Sequence, residues 1–262
     1  MGRAIQWFGT NTDIAEQKRM EGELALAKAE AEQANAAKSR FLAAASHDLR
    51  QPLQALGLYL DVLRGRLSPD DAPIMTRIES CHSGLSRLLT DLLDVSKLEA
   101  GVVTMNLGKV AIMDLQTSVV SAHAPVAEMK GLRLRMVATR VIVQADSVLL
   151  ERIIGNLVAN AVRYTEHGGV VIGCRHRQGK AWVEVWDSGI GIPEDKTAEI
   201  FEEFRQLGNQ ERNSERGTGL GLAIVSKTAA LLGLTVRVSS QLGRGSMFAI
   251  ELPSEKAGGP TP

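Results

Sequence analysis

A histidine, an aspartate and a proline lie close together in a segment otherwise suited to helix. The segment is "AAASHDLRQPLQAL", residues 43–56, and it contains His47, Asp48 and Pro52. An imidazole ordinarily titrates near pH 6.5, so a neutral, nucleophilic fraction is available at neutral pH. The adjacent carboxylate can accept a hydrogen bond from one ring nitrogen and stabilise the cation that forms. The pair indicates nucleophilic chemistry, although an ordinary kinked helix could contain the same residues.

Two asparagines, Asn156 and Asn160, lie four residues apart in the segment "NLVANAVRYT". Residues at this spacing project from one face of a helix, and asparagine is a poor helix former because its amide competes for backbone partners. Amide oxygens suit a hard cation such as Mg²⁺, which takes few protein ligands beside phosphate oxygens and water. The two amides could equally satisfy loop backbone groups, so the pair alone leaves both interpretations open.

Two glycine-rich segments suggest ligand contacts. In "WDSGIGIP", residues 186–193, Asp187 ends a strand, and glycines follow that let a backbone approach a planar ligand. Its carboxylate can accept from an exocyclic amine. The segment "RGTGLGLAI", residues 216–224, runs into a helix whose first N–H groups favour phosphate. A plain turn explains each segment alone, and neither the Walker P-loop nor the dinucleotide fingerprint fits.

The residues before 101 predict two long helices. No turn cluster interrupts residues 13–67, and "SPDDAP", residues 68–73, breaks the helix before a second one that ends at Gly101. Each helix carries an apolar heptad stripe. The stripes are Leu49, Leu53, Leu56, Leu60, Leu63 and Leu67, and Ile74, Ile78, Cys81, Leu85, Leu88, Leu92 and Val95. Two such helices bury their wide faces best in a homodimer that closes a four-helix bundle; the alternative is a pair packed on the C-terminal domain.

After residue 101 the pattern alternates between helices and β-branched runs. Strands are predicted near residues 132–137, 140–144, 169–175, 181–187, 234–239 and 246–252, and helices near 112–129, 147–163, 196–203 and 219–232. This density of mixed elements predicts an α/β sandwich of about 150 residues. The whole chain is therefore expected to be α+β.

Composition excludes several classes of function. The 30 basic and 30 acidic side chains balance, so no basic field attracts nucleic acid or anionic lipid. The two cysteines, Cys81 and Cys174, lie far apart, which argues against zinc or a disulfide framework and for a reducing compartment. Neither an 18-residue apolar run nor a signal peptide is present, so we expect a cytoplasmic segment outside the membrane.

The order of these motifs resembles the sensor histidine kinases of two-component systems over nearly the whole chain. "SHDLRQPLQAL" resembles their phosphoacceptor box, "NLVANAVRYT" the asparagine box, "DSGIGIP" the first glycine box, "FEEFRQ" the phenylalanine box and "GTGLGLAI" the second glycine box. "GRGSMFAIELP" resembles the closing strand. The segment "WFGTNTDIAEQKRME" is similar to the last strand and exit helix of a PAS sensor domain.

The resemblance implies a domain order. Residues 1–14 would end a truncated PAS domain, residues 15–40 would form a coiled-coil signalling helix, and residues 41–100 would form the dimerisation and phosphotransfer domain. Residues 101–253 would form a catalytic domain of the Bergerat ATP-binding fold shared with gyrase and Hsp90, and residues 254–262 a disordered tail.

The resemblance also assigns roles to residues. His47 would be the phosphoacceptor, Asp48 its acidic neighbour, and Asn156 and Asn160 the ligands of Mg²⁺ and phosphate. Contacts with the nucleotide would come from Arg163, Tyr164, Asp187, Gly189, Gly191, Gly217, Gly219 and Gly221. Many relatives carry Thr or Asn four residues after the histidine, where the side chain orients a hydrolytic water. Gln51 holds that position here, which puts phosphatase efficiency in doubt.

We therefore expect a homodimeric protein-histidine kinase that uses ATP and Mg²⁺ to phosphorylate His47 and passes the phosphoryl group to an aspartate of a response regulator. Pro52 is expected to kink the helix and let His47 move between states. The polar segment "RQLGNQERNSER", residues 205–216, is predicted to be a lid in which Arg212 or Arg216 meets phosphate. The rivals are an ATP-driven conformational machine of the same fold and a non-catalytic coiled-coil relay that binds nucleotide.

Overall fold

The computed structural model describes residues 15–66, 68, 71–177, 180–205 and 218–253; within them, the side chains of residues 31, 32, 35 and 38–48 lie outside the description. The helices are α1 (Ala15–Arg64), α2 (Ala72–Glu99), α3 (Ile112–Met129), α4 (Ser147–Tyr164) and α5 (Gly221–Leu231). The strands are β1 (Gly108–Ala111), β2 (Arg133–Met136), β3 (Ile142–Ala145), β4 (Gly169–Arg177), β5 (Lys180–Asp187), β6 (Val236–Gln241) and β7 (Gly245–Glu251).

Helices α1 and α2 form an antiparallel hairpin, as the sequence predicts. Helix α1 is 50 residues long and continues through Pro52 without interruption. Near the turn of the hairpin, Arg64 pairs with Glu79 at 3.1 Å. Further along, His82 Nε2 donates to the backbone carbonyl of Leu53 at 2.7 Å. These two contacts set the register of the helices against each other.

The facing leucines of the hairpin are only partly covered within one chain. Leu49 and Leu85 are each 54% exposed, and a groove of about 560 Å³ runs between the two helices. Apolar side chains of this size gain about 1.5–3 kcal/mol each from full burial. The open groove suits the predicted four-helix bundle of a homodimer, which stays a prediction.

The remaining elements form the sheet domain, which runs from β1 to β7. Its main sheet has the strand order β2-β4-β5-β7-β6, with β2 parallel to β4 and the other neighbours antiparallel. Strands β1 and β3 form a separate antiparallel ribbon. Helices α3, α4 and α5 contribute buried side chains such as Val119, Ile154 and Val225 to one core with β4, β5 and β7. This is the α/β sandwich that the sequence predicts.

The start of α4 is fixed by an aspartate. Asp146 caps the helix, and its Oδ1 accepts from the backbone N–H groups of Val148 and Leu149 at 3.0 Å each. Its Oδ2 accepts from the backbone N–H of Asn106 at 2.7 Å. A cap of this kind stabilises a helix by about 1 kcal/mol. Since Asp146 is itself buried, the cap also ties α4 to the chain that enters the sheet domain.

Two local predictions differ from the structure. The helix predicted at 196–203 is wrong, because two 3-10 turns, Glu194–Lys196 and Glu199–Phe201, occupy the segment. The Thr197 hydroxyl donates to the Glu194 carbonyl at 2.6 Å, and Glu202 is extended, so the chain cannot propagate an α-helix. Strand β1 was not predicted, since only Val110 of its four residues is buried. No helix within the described ranges is long and apolar enough to cross a membrane.

Candidate nucleotide and phosphoacceptor sites

A cavity of about 290 Å³ opens in the sheet domain between α4, the end of β5 and the start of α5. Its walls are mostly apolar, and a few polar groups converge on it. The lining includes Asn160, Tyr164, Asp187, Ile190, Ile192, Leu222, Ser246 and Phe248. A narrow apolar cleft with one carboxylate at its side suits a planar heterocycle that carries an amine.

Asp187 is the only carboxylate among the residues lining this cavity in the described part of the chain. Its Oδ1 accepts from the backbone N–H groups of Gly189 at 2.8 Å and Ser246 at 3.2 Å. Burial raises the pKa of Asp187 above the ordinary value, and the two hydrogen bonds partly oppose that rise. The carboxylate is therefore held in one orientation, from which its other oxygen can accept from a ligand amine.

The loop after β5 needs its glycines. Gly191 has a φ of +71°, and a Cβ there would collide with the carbonyl of Gln241. A Cβ on Gly189 would lie 2.9 Å from Asp187 Oδ1. Side chains at these two positions would strain the backbone or displace the carboxylate, so the glycines keep the loop against the cavity.

The two asparagines of α4 face the start of α5. Asn156 Nδ2 donates to the backbone carbonyl of Arg152 at 2.9 Å. A Cβ on Gly221, the first residue of α5, would lie 3.1 Å from Asn156 Oδ1 and 3.7 Å from the amide atoms of Asn160. Two amides beside the N-terminus of a helix provide oxygen ligands for a hard cation and N–H groups for phosphate. The residues present therefore fit Mg²⁺ held together with phosphate oxygens.

The glycine-rich turn before α5 is partly described. Gly219 has a φ of +72°, and its carbonyl accepts from the backbone N–H of Phe204 at 3.1 Å. Phe204 is itself exposed and lines the apolar groove of the hairpin. Gly217 and the predicted lid arginines, Arg212 and Arg216, lie outside the described residues.

The end of α4 separates its two predicted nucleotide ligands. Tyr164 lines the cavity, and its backbone carbonyl accepts from the N–H of Ile190 at 3.3 Å. Arg163 lies instead within electrostatic reach of Arg87 and Asp91 on α2. Burial, followed by the charge of Arg87, lowers the pKa of Arg163. Arg163 therefore lies toward the hairpin side of the site and is not among the residues that line the cavity.

The predicted phosphoacceptor lies on α1. The backbone of His47 and Asp48 is helical, while their side chains lie outside the description; Gln51, one turn later, is exposed. Antiparallel helices advance equally per residue. The Leu53–His82 contact therefore places the His47 turn level with the part of α2 that contains Leu88 and Asp91.

Comparisons with known proteins agree with this arrangement. Residues 37–101 match the His Kinase A (phospho-acceptor) domain. Residues 145–256 match the family described as histidine kinase-, DNA gyrase B- and HSP90-like ATPase. The chain belongs to the sensor histidine kinases.

Individual relatives extend the match. The uncharacterized sensor-like histidine kinase R01002 of Rhizobium meliloti is 33% identical over 98% of this chain and 50% of its own length. The circadian input-output histidine kinase CikA of Synechococcus elongatus is 35% identical over 89% of this chain and 32% of its own. The crystal structure of full-length ShkA in complex with AMPPNP superposes with a TM-score of 0.69 at 31% identity, covering 84% of this chain and 47% of that one. The chain thus spans half or less of these relatives. Kinase membership and the α+β fold are confirmed; the domain boundaries stay predictions.

Sequence reasoning missed the contacts that join the two parts of this histidine kinase. Helix α2 carries three acidic residues that reach the sheet domain: Asp91 accepts from the Thr218 hydroxyl at 3.0 Å, Asp94 pairs with Arg152, and Glu99 pairs with Lys227 at 2.9 Å. The available signal was the three acidic residues themselves, interspersed with leucines in "LLTDLLDVSKLEA", because acidic groups beside an apolar face need hydrogen-bonding or cationic partners.

Proposed function

We propose that the chain uses the Mg²⁺ complex of ATP to phosphorylate His47 and then transfers the phosphoryl group to an aspartate of a response regulator. The observation that carries the proposal is the docking of a nucleotide-shaped site against the phosphoacceptor hairpin. The glycine-rich turn before α5 contacts Asp91, and Asp91 lies at the level of the His47 turn. The presence of AMPPNP, an ATP analogue, in the related ShkA structure supports nucleotide binding.

The cavity accounts for recognition of the base. In the proposed complex, Asp187 accepts from the exocyclic amine of adenine, and side chains such as Ile192 and Phe248 cover the ring. A base that presents a carbonyl in place of the amine would meet the Asp187 carboxylate with two acceptors facing each other. This arrangement favours adenine over guanine.

The residues beside the start of α5, the phosphate end of the site, explain the proposed use of Mg²⁺. Asn156 and Asn160 would hold Mg²⁺ together with phosphate oxygens, and the bound cation supplies neutralisation of charge on the phosphoryl group. The first N–H groups of α5 lie beside these amides, which suits the remaining phosphate oxygens. The chain's own contribution is to position the terminal phosphate and to exclude competing orientations.

The phosphoryl transfer itself involves one bond made and one bond broken. The lone pair of a neutral ring nitrogen of His47 forms a bond to the γ-phosphorus, and the bond from that phosphorus to the bridging oxygen breaks to release ADP. Asp48 is proposed to accept a hydrogen bond from the other ring nitrogen, which stabilises the positive charge that develops on the imidazole. In the second step an aspartate of the regulator takes the phosphoryl group and restores His47.

The apolar groove of the hairpin supports a homodimer. Leu49, Leu56, Leu85 and Leu88 are more than 40% exposed in one chain, and two hairpins that share this groove would cover them. An upstream PAS module is proposed from residues 1–14, which lie outside the described residues. Both assignments concern the assembly and leave the chemistry at His47 unchanged.

The deciding experiment is incubation with γ-labelled ATP and Mg²⁺, followed by tests of label stability in acid and base. We expect an acid-labile, base-stable label on the wild-type chain and no label on His47→Gln. His176→Gln is the matched control, because His176 is exposed on β4 and should label normally. Hydrolysis of ATP without any labelled chain would instead favour the ATP-driven conformational machine. Binding of ATP with neither hydrolysis nor labelling would favour the non-catalytic relay.

A further inference from the structure

A pair of hydrogen bonds connects the hairpin to the phosphate end of the nucleotide site. The hydroxyl of Thr218 donates to Asp91 Oδ2 at 3.0 Å, and the Thr218 hydroxyl oxygen accepts from the backbone N–H of Leu220 at 3.2 Å. Leu220 directly precedes α5. A carboxylate on the hairpin is thereby linked, through one hydroxyl, to a backbone donor at the helix N-terminus that is expected to bind phosphate.

A second contact reaches the opposite wall of the site. Asp94, one turn after Asp91, forms an ion pair with Arg152. The backbone carbonyl of Arg152 accepts from Asn156 Nδ2, and Asn156 is one of the two asparagines at the phosphate end. Helix α2 therefore touches both elements that would surround the phosphates, the turn before α5 and the outer end of the asparagine face of α4.

The charges around Asp91 resemble those of an anion site. Arg87 on α2 and Arg152 and Arg163 on α4 all lie close enough to act electrostatically on its carboxylate. Burial raises the pKa of Asp91, while the Thr218 hydrogen bond and these three guanidinium groups oppose the rise. A carboxylate that accepts from a hydroxyl and faces several guanidinium groups uses the same interactions that a phosphate group would use.

The docking of α2 has other supports. Val95 of α2 packs with Leu220 and Ile224, and all three are at most 3% exposed. Lys227 of α5 pairs with Glu99 of α2 at 2.9 Å. Because these contacts do not involve Asp91, neutralising its charge should leave the two parts docked.

We propose that Asp91 weakens phosphate binding at the nucleotide site, because its carboxylate competes with the nucleotide's phosphates for the Thr218 turn and the neighbouring arginines. The proposal rests on the proposed function, since it concerns the same nucleotide site. A bound triphosphate would bring negative charge next to this carboxylate, and like charges in a partly buried site repel strongly. The docked hairpin therefore lowers the affinity for phosphate-bearing nucleotides and leaves the affinity for the nucleoside unchanged.

The test compares the dissociation constants of Mg²⁺-AMPPNP and of adenosine, measured calorimetrically on the full chain. We expect Asp91→Asn to bind Mg²⁺-AMPPNP about tenfold more tightly than wild type, ~1.4 kcal/mol, and adenosine with unchanged affinity. Asp91→Glu restores the charge and should return the affinity toward the wild-type value. Glu99→Gln is the matched control, because it removes an acidic group of α2 that pairs away from the Thr218 turn.

Two further readouts separate this role from a merely structural one. Asp91→Ala serves as a second neutral variant and should shift the affinity for Mg²⁺-AMPPNP in the same direction. The gap between wild type and the neutral variants should narrow as salt rises from about 0.1 to about 1 M, because screening weakens the repulsion. Unchanged or weaker binding of Mg²⁺-AMPPNP by folded Asp91→Asn, or equal tightening for adenosine, overturns the proposal. Binding does not require phosphoryl transfer, so this result is independent of whether His47 becomes labelled.

Discussion

The side chain of Asn156 donates from Nδ2 to the backbone carbonyl of Arg152, one turn earlier in α4, at 2.9 Å. This bond fixes the orientation of the amide, because a carbonyl can only accept. The amide oxygen is consequently the atom that faces Gly221 at the start of α5, where a Cβ would lie 3.1 Å from it. A residue that disfavours helix interiors thus presents its oxygen to the start of α5, the proposed phosphate end of the site.

Replacement of Asn156 by Leu should abolish most autophosphorylation and leave the fold intact. The side chain is only half-buried, and the volume is nearly conserved, so the melting temperature should change little. Loss of one oxygen ligand at a site of charge development should lower the rate of labelling on the order of a hundredfold. The rate is measured with γ-labelled ATP, and Asn106→Leu, at an exposed asparagine in the segment that enters the sheet domain, is the control. A normal rate in Asn156→Leu would remove the amide from the site.

Adenosine affinity should depend on pH through Asp187. A carboxylate accepts from an amine only when it is ionised, and burial holds the pKa of Asp187 above the ordinary value of about 3.9. The affinity for adenosine should therefore be highest above that raised pKa and fall as the pH decreases through it. The loss should occur at a higher pH than it would with an aspartate of ordinary pKa. Titrations with adenosine from about pH 7.5 downward measure this loss.

The matched variant for that titration is Asp187→Asn. It should bind adenosine more weakly at neutral pH and show a nearly flat profile, because the titrating group is gone. Asp114→Asn, at an exposed aspartate of α3, should reproduce the wild-type curve. A sloping profile in Asp187→Asn would assign the pH dependence to another group.

Gln51 is predicted to orient water for dephosphorylation of the regulator. It is exposed on α1 one turn after His47, where an amide can still hold a water molecule. Gln51→Ala should slow the loss of label from a phosphorylated regulator severalfold, in a reaction containing the kinase, Mg²⁺ and ADP. Gln54→Ala, an exposed glutamine of the same helix, is the control. Identical rates for wild type and Gln51→Ala would exclude the role.

Gly57 and His82 should be energetically coupled. His82 Nε2 donates to the Leu53 carbonyl at 2.7 Å, and a Cβ on Gly57 would lie 3.0 Å from His82 Cε1. Gly57→Ala should stabilise α1 by about 1 kcal/mol through helix propensity. It should also displace the imidazole of His82 and lose the hydrogen bond, which is worth about 1 kcal/mol. The net change in the free energy of unfolding should therefore be close to zero. Urea unfolding of the two single variants and the double variant measures the coupling.

The control for this cycle is Gly22→Ala, because a Cβ on Gly22 meets no atom within 4 Å. Gly22→Ala should raise the free energy of unfolding through helix propensity alone. Gly57→Ala should become similarly stabilising once His82 has been replaced by Ala. Stabilisation by Gly57→Ala in the presence of His82 would show that the ring yields without cost.

The sequence was sufficient for elements with a strong local pattern. The helical segment at 112–129 predicts the bounds of α3, and the β-branched run at 181–187 predicts the position of β5 with Asp187 at its end. The docking of α2 on the sheet domain could not be predicted in the same way. Thr218 and Asp91 are 127 residues apart in sequence, and a local sequence pattern cannot predict which acidic residue accepts from which hydroxyl. Such pairs depend on how two preformed units approach each other.

Pro52 gives the sharpest test of the proposed movement of His47. Helix α1 continues through Pro52, although proline cannot donate to the carbonyl of Asp48 and its ring crowds that carbonyl. Pro52→Ala restores the missing donor, so we expect a higher melting temperature, since an interior proline costs a helix about 3 kcal/mol. We also expect slower autophosphorylation, because bent states of α1 become less populated.

Pro73→Ala is the control for this substitution. Pro73 lies in the first turn of α2, where the N–H of the replaced residue has no intrahelical partner and proline is well tolerated. Its replacement should change neither the melting temperature nor the rate of labelling by much. If Pro52→Ala raises stability while the rate of autophosphorylation stays at the wild-type value, then the weakened turn is a tolerated defect, and the movement of His47 must depend on another part of the hairpin.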